Sequence, residues 1–202
     1  MRKAVVPAVS VIFLLSLAAT AQESRSEFSL QGAGFFTSSV SGNGTAYSAT
    51  ESGGVIGTYR YHLNHWISAE ASYGYNRDTQ KYQVDSEAFR IQSSIHQFTA
   101  SFVFNLLSRP HSRVTPYFLM GGGVLLFAPT GDQFNSLSNT QSQAKGAFLY
   151  GLGVNYAIHK GIALRAEYRG LVYGPPNFGF GALTANAVTQ TAEPSIGISF
   201  RF

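Results

Sequence analysis

Apolar and polar residues take turns along most of this chain. The final stretch shows it plainly: Ile196, Ile198, Phe200 and Phe202 alternate with Ser195, Gly197, Ser199 and Arg201. A period of two marks a strand with two unlike faces, because successive side chains leave a pleated backbone on opposite sides. In residues 147–158, Phe148, Tyr150, Leu152, Val154, Tyr156 and Ile158 share one face, and Gly151, Gly153 and Asn155 the other. Ile162, Leu164, Ala166, Tyr168 and Val172 oppose Arg165, Glu167 and Arg169. Phe98, Ala100, Phe102, Phe104 and Leu106 oppose Gln97, Thr99, Ser101 and Asn105.

Two earlier segments read the same way. Val55, Gly57, Tyr59, Tyr61 and Leu63 face away from Thr58, Arg60 and His62. Ile67, Ala69, Ala71, Tyr73 and Tyr75 face away from Ser68, Glu70 and Ser72. Residues 27–36, around Phe28, alternate more loosely. Residues 115–127 are apolar on both faces around Tyr117, so the pattern assigns them no side. With the terminal segment this predicts eight strands, and no run from Glu23 onward is apolar enough for a transmembrane helix.

The connections alternate in length. Tight turns are expected at Asn64, at 108–112 with Pro110 ending the ladder, and at His159, Lys160 and Gly161. Long polar connections are expected at 37–50, 76–93, 129–145 and 174–187. The Asn-Gly-Thr sequence at Asn43 reads as loop chemistry. Short links at one end and long ones at the other is the asymmetry of outer-membrane barrels.

Two architectures carry eight alternating strands: a soluble barrel with apolar residues inside, or a membrane barrel with them outside. The polar faces decide. They hold Gly, Ser, Thr, Asn and Gln with occasional Arg and Glu, where a soluble exterior would hold Lys, Glu and Asp. Charged residues are only 12% of the chain and aromatics 14%. Small polar side chains suit the narrow inside of an eight-stranded ring. Phe28, Tyr61, Trp66, Tyr75, Tyr117, Tyr173 and Phe178 fall near strand ends, where an interfacial girdle is expected. The fold predicted is an all-β, eight-stranded antiparallel transmembrane up-and-down β-barrel.

The N-terminus adds a destination. Arg2 and Lys3 precede an apolar stretch and then Ala19, Thr20 and Ala21, the layout of a secretory signal cut after Ala21. Residues 1–21 are therefore expected to be a signal peptide and 22–202 the barrel, with too few residues before the first strand for a plug. The formal charge is +4, about +2 once Arg2 and Lys3 are gone, and no basic stripe is visible, so nucleic acid is not an expected partner. Cysteine is absent, which excludes disulfides, thiolate metal sites and a lipoprotein anchor.

The leader, the eight strands and the alternating ending on Phe202 resemble the OmpA/OmpX-like small outer-membrane β-barrel family. That resemblance implies residence in the outer membrane of a Gram-negative-type bacterium, among outer-membrane lipids and lipopolysaccharide. It also implies that the barrel-assembly machinery reads Phe202. No peptidoglycan-binding domain of the OmpA kind is expected after it. The role implied is structural or surface-interacting, with long extracellular loops that meet an external ligand or surface, and short turns and termini on the periplasmic side. A narrow porin-like channel is the alternative.

Arg60, Glu70, Arg165, Glu167, Arg169 and Arg201 all fall on polar faces and form a candidate lumen charge network. An unpaired charge inside a narrow barrel costs several kcal/mol, so partners are expected, with Arg60 diagonal to Glu70 on neighbouring strands. Such a network is either structural filling or a gate. Ser94 and His96 raise a second possibility, because some outer-membrane barrels modify lipid A with a lipid-facing serine and histidine. The order here is Ser-x-His, whereas the deacylases resemble His-x-Ser, and Asp85 and Glu87 sit in an expected loop. No enzyme is predicted. Gly121, Gly122 and Gly123 lack the Lys-Ser/Thr of a phosphate loop. His62, His65, His111 and His159 fall near the short turns, and His62 and His65 lack an acidic or third histidine ligand, so no metal or cofactor site is expected.

Overall fold

The computed structural model describes residues 25–84, 87–106, 112–130 and 140–202. The expected signal peptide and His111 lie outside them. Ten strands form: β1 (Ser26–Thr37), β2 (Val40–Gly42), β3 (Thr45–Ala49), β4 (Ser52–His62), β5 (Ile67–Val84), β6 (Glu87–Asn105), β7 (Val114–Pro129), β8 (Gln143–His159), β9 (Ile162–Tyr173) and β10 (Thr189–Arg201). Eight of them close a ring in the order β1, β4, β5, β6, β7, β8, β9, β10, every pair antiparallel. The seam is β1 on β10, from Glu27 opposite Arg201 to Thr37 opposite Thr191. Phe202 N donates to Ser26 O at 2.8 Å, and Ser26 N returns a bond to Phe202 O at 3.2 Å. A closed ring leaves no strand edge unpaired, which hydrocarbon requires.

The other two strands, β2 and β3, form a small hairpin turned by Asn43 and Gly44, both at positive φ (51° and 74°). Two left-handed residues in an Asn-Gly pair make the turn whose twist suits a hairpin. The hairpin lies along the far half of β5, with Thr45 opposite Val84 and Ala49 opposite Gln80.

Side-chain facing follows the alternation. Phe28, Leu30, Phe98, Phe102, Phe148, Leu152, Ile196, Ile198 and Phe200 are exposed on the outer wall, and Ser29, Thr58, Ser68, Ser101 and Asn155 are buried within. Residues 115–127 now have sides. Tyr117, Leu119 and Leu125 point in, and Phe118, Met120 and Val124 point out. The three glycines lie within β7, not in a phosphate loop. A Cβ at Gly121 would stand 2.1 Å from the Ala100 carbonyl oxygen, so only a glycine lets β6 and β7 approach this closely.

Two expectations are corrected. Residues 76–93 are not a loop: β5 and β6 run 18 and 19 residues and stand as a hairpin well past the 9–11 residues a membrane crossing needs. The aromatic girdle keeps Phe28, Tyr61, Trp66 and Tyr75, all exposed, but loses Tyr117, Tyr173 and Phe178, all buried. Tyr117 turns inward because the residue opposite it on β8 is Gly153, whose missing side chain leaves room for the ring.

At the short-turn end, Asn64 Oδ1 accepts from the backbone N–H groups of Trp66 and Ile67, both at 2.8 Å. Asparagine is suited to this because its side chain mimics a backbone turn. Asn64→Ala loses both bonds and should lower unfolding free energy by about 1 kcal/mol, read as a shift in urea midpoint of the refolded protein.

Candidate functional site

The lumen is filled in two storeys. At the short-turn end it holds ions. Registry sets opposite charges face to face: Glu27 opposite Arg60 and Arg201, Arg60 opposite Glu70, and Arg169 opposite Glu193. Arg60 thus meets Glu70 directly rather than diagonally. Its Nε donates to Glu70 Oε2 at 2.8 Å, and Nη2 lies 2.7 Å from the same oxygen. Arg169 Nη2 donates to Glu70 Oε1 at 2.8 Å, its Nη1 to Ser72 Oγ at 3.0 Å, and its Nε to Glu167. Arg165 gives Nε to Asn155 Oδ1 at 3.0 Å, Nη1 to Thr58 and Ser29, and Nη2 to Glu27.

Glu70 is the hub, because all three buried guanidiniums reach it: Arg165 Nη1 completes the set at 3.4 Å from Oε2. Arg201 closes the rim. It is half exposed, with Nη2 3.1 Å from Glu27 Oε2. The sequence-level candidates Arg60, Glu70, Arg165, Glu167, Arg169 and Arg201 are therefore brought together in one network.

Three members were not foreseen. Glu27 sits on the loosely alternating β1, Glu193 precedes the expected start of the last strand, and Tyr117 was placed in the girdle. Tyr117 donates its hydroxyl to Glu167, and its ring lies 4.4 Å from Arg60 Cζ. That contact matters, since neither Nη of Arg60 makes a well-angled hydrogen bond among the described residues. Glu193 accepts from Gln97 Nε2 at 2.7 Å. Glu27, Glu70 and Glu167 between them pair with all four guanidiniums, while Glu193 stands opposite Arg169 in register without a direct ion pair.

The second storey is largely apolar, which the small polar faces did not foretell, with Asn76, Asp78, Gln80 and Thr191 buried among its hydrophobic side chains. Val103, Leu119, Ile95, Leu125, Leu149, Leu171 and Phe127 continue from Tyr117 up the lumen to Tyr47, Tyr82, Phe178 and Leu183 at the far end. Residues 174–187 cover that end. Tyr82 donates to Pro176 O at 2.6 Å, and Asn177 N donates to Gln143 Oε1 at 2.8 Å. Phe178 is fully buried with φ at 52°, a left-handed conformation a bulky residue adopts only when its surroundings hold it there. Burial pushes the Tyr82 phenol, and likewise that of Tyr47, well above its ordinary range, so both stay protonated.

Ser94 and His96 face outward on β6 and are engaged by tyrosines of β5, not by each other. His96 Nδ1 is 2.8 Å from the Tyr73 hydroxyl, and Ser94 Oγ is 3.4 Å from that of Tyr75. Glu87 lies in β6 rather than a loop, nine positions from His96 (96 − 87), and Asp85 falls outside the described residues. His62 joins the rim of the network, with Nε2 3.4 Å from Glu27 Oε2 and Nδ1 2.9 Å from Ser68 Oγ. No set of three metal-binding side chains occurs among the described residues.

A closed ring with a greasy outer wall is what hydrocarbon demands of a barrel. The family model described as "Outer membrane protein beta-barrel domain" matches residues 8–202. The chain belongs to that family. Among solved structures it is similar to the outer membrane protein OprG from Pseudomonas aeruginosa, at 15% identity and a TM-score of 0.61, covering 87% of this chain and 95% of that one. It is also similar to outer membrane protein AlkL, solved in lipid bilayers, at 17% identity and a TM-score of 0.55, covering 91% and 92%. Neisserial surface protein A follows, at 19% identity and a TM-score of 0.53, covering 87% and 97%. A search of curated protein sequences finds no match. At these identities the neighbours share the fold. Within the family, the exposed aromatics and aliphatics of the outer wall are the lipid-facing surface of a transmembrane barrel.

Proposed function

We propose that this chain is a structural, surface-presenting barrel of the outer membrane, closed to steady ion flow. The observation that carries this is the two-storey filling. An ion passing along the axis would have to break a buried ion network and then cross a tightly packed, largely apolar column capped by Phe178. Its leader, residues 1–21, exports it, and Phe202 serves the assembly machinery. The short turns face the periplasm, and the β5–β6 hairpin, the β2–β3 hairpin and the 174–187 cover face outside. Lipopolysaccharide and outer-membrane lipid surround the wall, and the exposed ends of the hairpins meet whatever the cell touches.

The test is planar-bilayer recording on the refolded mature protein. Wild type should give no stepwise conductance above the lipid baseline at physiological salt. Steady, ohmic channels from most insertions would instead support the narrow porin, with the network acting as its gate.

A further inference from the structure

At the short-turn end, beyond the ion network, the lumen opens into a vestibule. Its volume is about 160 Å³, and Glu27, Arg113, Thr115, Asn155, Ser199 and Arg201 are among the residues that line it. Registry brings them together. Thr115 lies directly opposite Asn155 across the β7–β8 ladder, and Arg201 N donates to Gly161 O at 2.8 Å. Arg113 stands one residue before β7, where its carbonyl accepts from Ala157 N at 2.7 Å.

Most of these groups donate. Arg165 Nε donates to Asn155 Oδ1 at 3.0 Å, which fixes that amide and leaves its NH2 on the other side as a donor. Asn155 is only 8% exposed, so a ligand in the vestibule is what that NH2 can meet. Thr115 adds a hydroxyl, and Ser199 another, whose hold on Ala163 O is long at 3.5 Å. Arg201 commits Nη2 to Glu27 at 3.1 Å, and Arg113 is exposed with no ion pair among the described residues. Glu27 is the one carboxylate among the described lining residues, and both its oxygens are engaged. Arg165 donates to Oε1, while Arg201 donates to Oε2 and His62 Nε2 lies 3.4 Å from it. Two guanidiniums thus line a mouth whose one carboxylate Arg165 also claims. Surplus positive charge in a protein-walled cleft draws an anion.

Shape and size choose which anion. Pockets for ordinary small molecules run about 300–1,000 Å³, so this one admits only a few heavy atoms. A carboxylate holds two oxygens in one plane and suits a single guanidinium fork. The donors here come from Arg113 and β7, from β8 and from β10, on separate sides of the ring. That arrangement suits an ion whose oxygens point in tetrahedral directions.

We propose that the vestibule binds one small tetrahedral oxyanion, inorganic phosphate, with Arg113 and Arg201 as its charged contacts and the Asn155 NH2 and Thr115 hydroxyl as neutral ones. The inference rests on the orientation proposed above only for the compartment, the periplasm, that supplies the ion. It requires neither a closed nor a conducting lumen.

The experiment titrates inorganic phosphate into the refolded mature protein in maltoside micelles, which carry no phosphate, with chloride adjusted to hold ionic strength constant. Calorimetry reads binding directly, and the urea midpoint reads it again, since an anion held only by the folded state raises its stability. Wild type should show saturable binding, with sulfate close to phosphate and acetate about tenfold weaker or worse. Arg113→Gln should weaken phosphate about tenfold, the effect of one charge-assisted hydrogen bond. Because Arg113 lies outside the ion network, its urea midpoint without phosphate should not move. Arg113→Lys keeps the charge and should keep most of the affinity. No saturable response, or an equal response in Arg113→Gln, overturns the proposal. Acetate binding as tight as phosphate overturns the tetrahedral site. Loss of the phosphate response in nanodiscs containing phosphatidylglycerol would mean that a lipid headgroup takes the mouth, which overturns free phosphate as the ligand. Bilayer recording on the same variants separates this from the closed-barrel reading, which fails only if steady conductance is seen.

Discussion

Glu70→Ala should destabilise the barrel by about 3–5 kcal/mol and leave it electrically silent. Glu70 is fully buried and is the single carboxylate that Arg60, Arg165 and Arg169 all reach. Its removal strands positive charge in a medium that cannot solvate it, which is why breaking a buried network from one side costs more than the network contributes. Current stays absent because the packed, largely apolar storey above the network is untouched. Glu70→Gln keeps the shape and two acceptor lone pairs and should lose less. Urea unfolding of the refolded protein in lipid vesicles reads the stability, and bilayer recording reads the silence. A large conductance gain with unchanged stability would mean that the network is a gate.

The second large effect is expected on the other side of the wall. Phe102→Arg places a guanidinium on the lipid face at mid-strand, where Phe102 is 54% exposed in the isolated chain. Charge at the bilayer midplane of such a barrel costs roughly 2–4 kcal/mol and fades to about 0–1 near the interfaces. The same change at Trp66, at the turn end of β5, should therefore cost much less. Equilibrium folding into vesicles distinguishes the two positions. Equal, small losses at both would mean that Phe102 does not face hydrocarbon.

Much of this was legible because a barrel wall has one greasy side. Wherever the inner side is polar, as with Thr58 and Arg60 or Arg165, Glu167 and Arg169, a period of two fixes the facing of every residue. The reading failed where the two sides stopped differing. On β7 both are apolar, since Leu119 and Leu125 line the apolar storey while Met120 and Val124 meet lipid. Past Tyr75 on β5 both are polar. Arg77 and Lys81 lie outside in water and Asp78 and Gln80 inside, so a projecting hairpin looked like a loop. Tyr117 was misplaced for a related reason. An aromatic near a strand end reads as girdle unless one knows that Gly153 opposes it, and only registry supplies that. Glu27 and Glu193 lay at the blurred ends of segments, yet registry sets each opposite an arginine across a ladder.

The seam between β1 and β10 has a consequence for how this molecule comes into being. The first strand of the ring finds its second neighbour only in the last, so contacts between them span almost the whole described chain. Until that pairing is made, β1 and β10 each carry a row of backbone groups that only water or another protein can satisfy. No half-built intermediate of this ring can rest unaided in lipid. Insertion and completion must be one event.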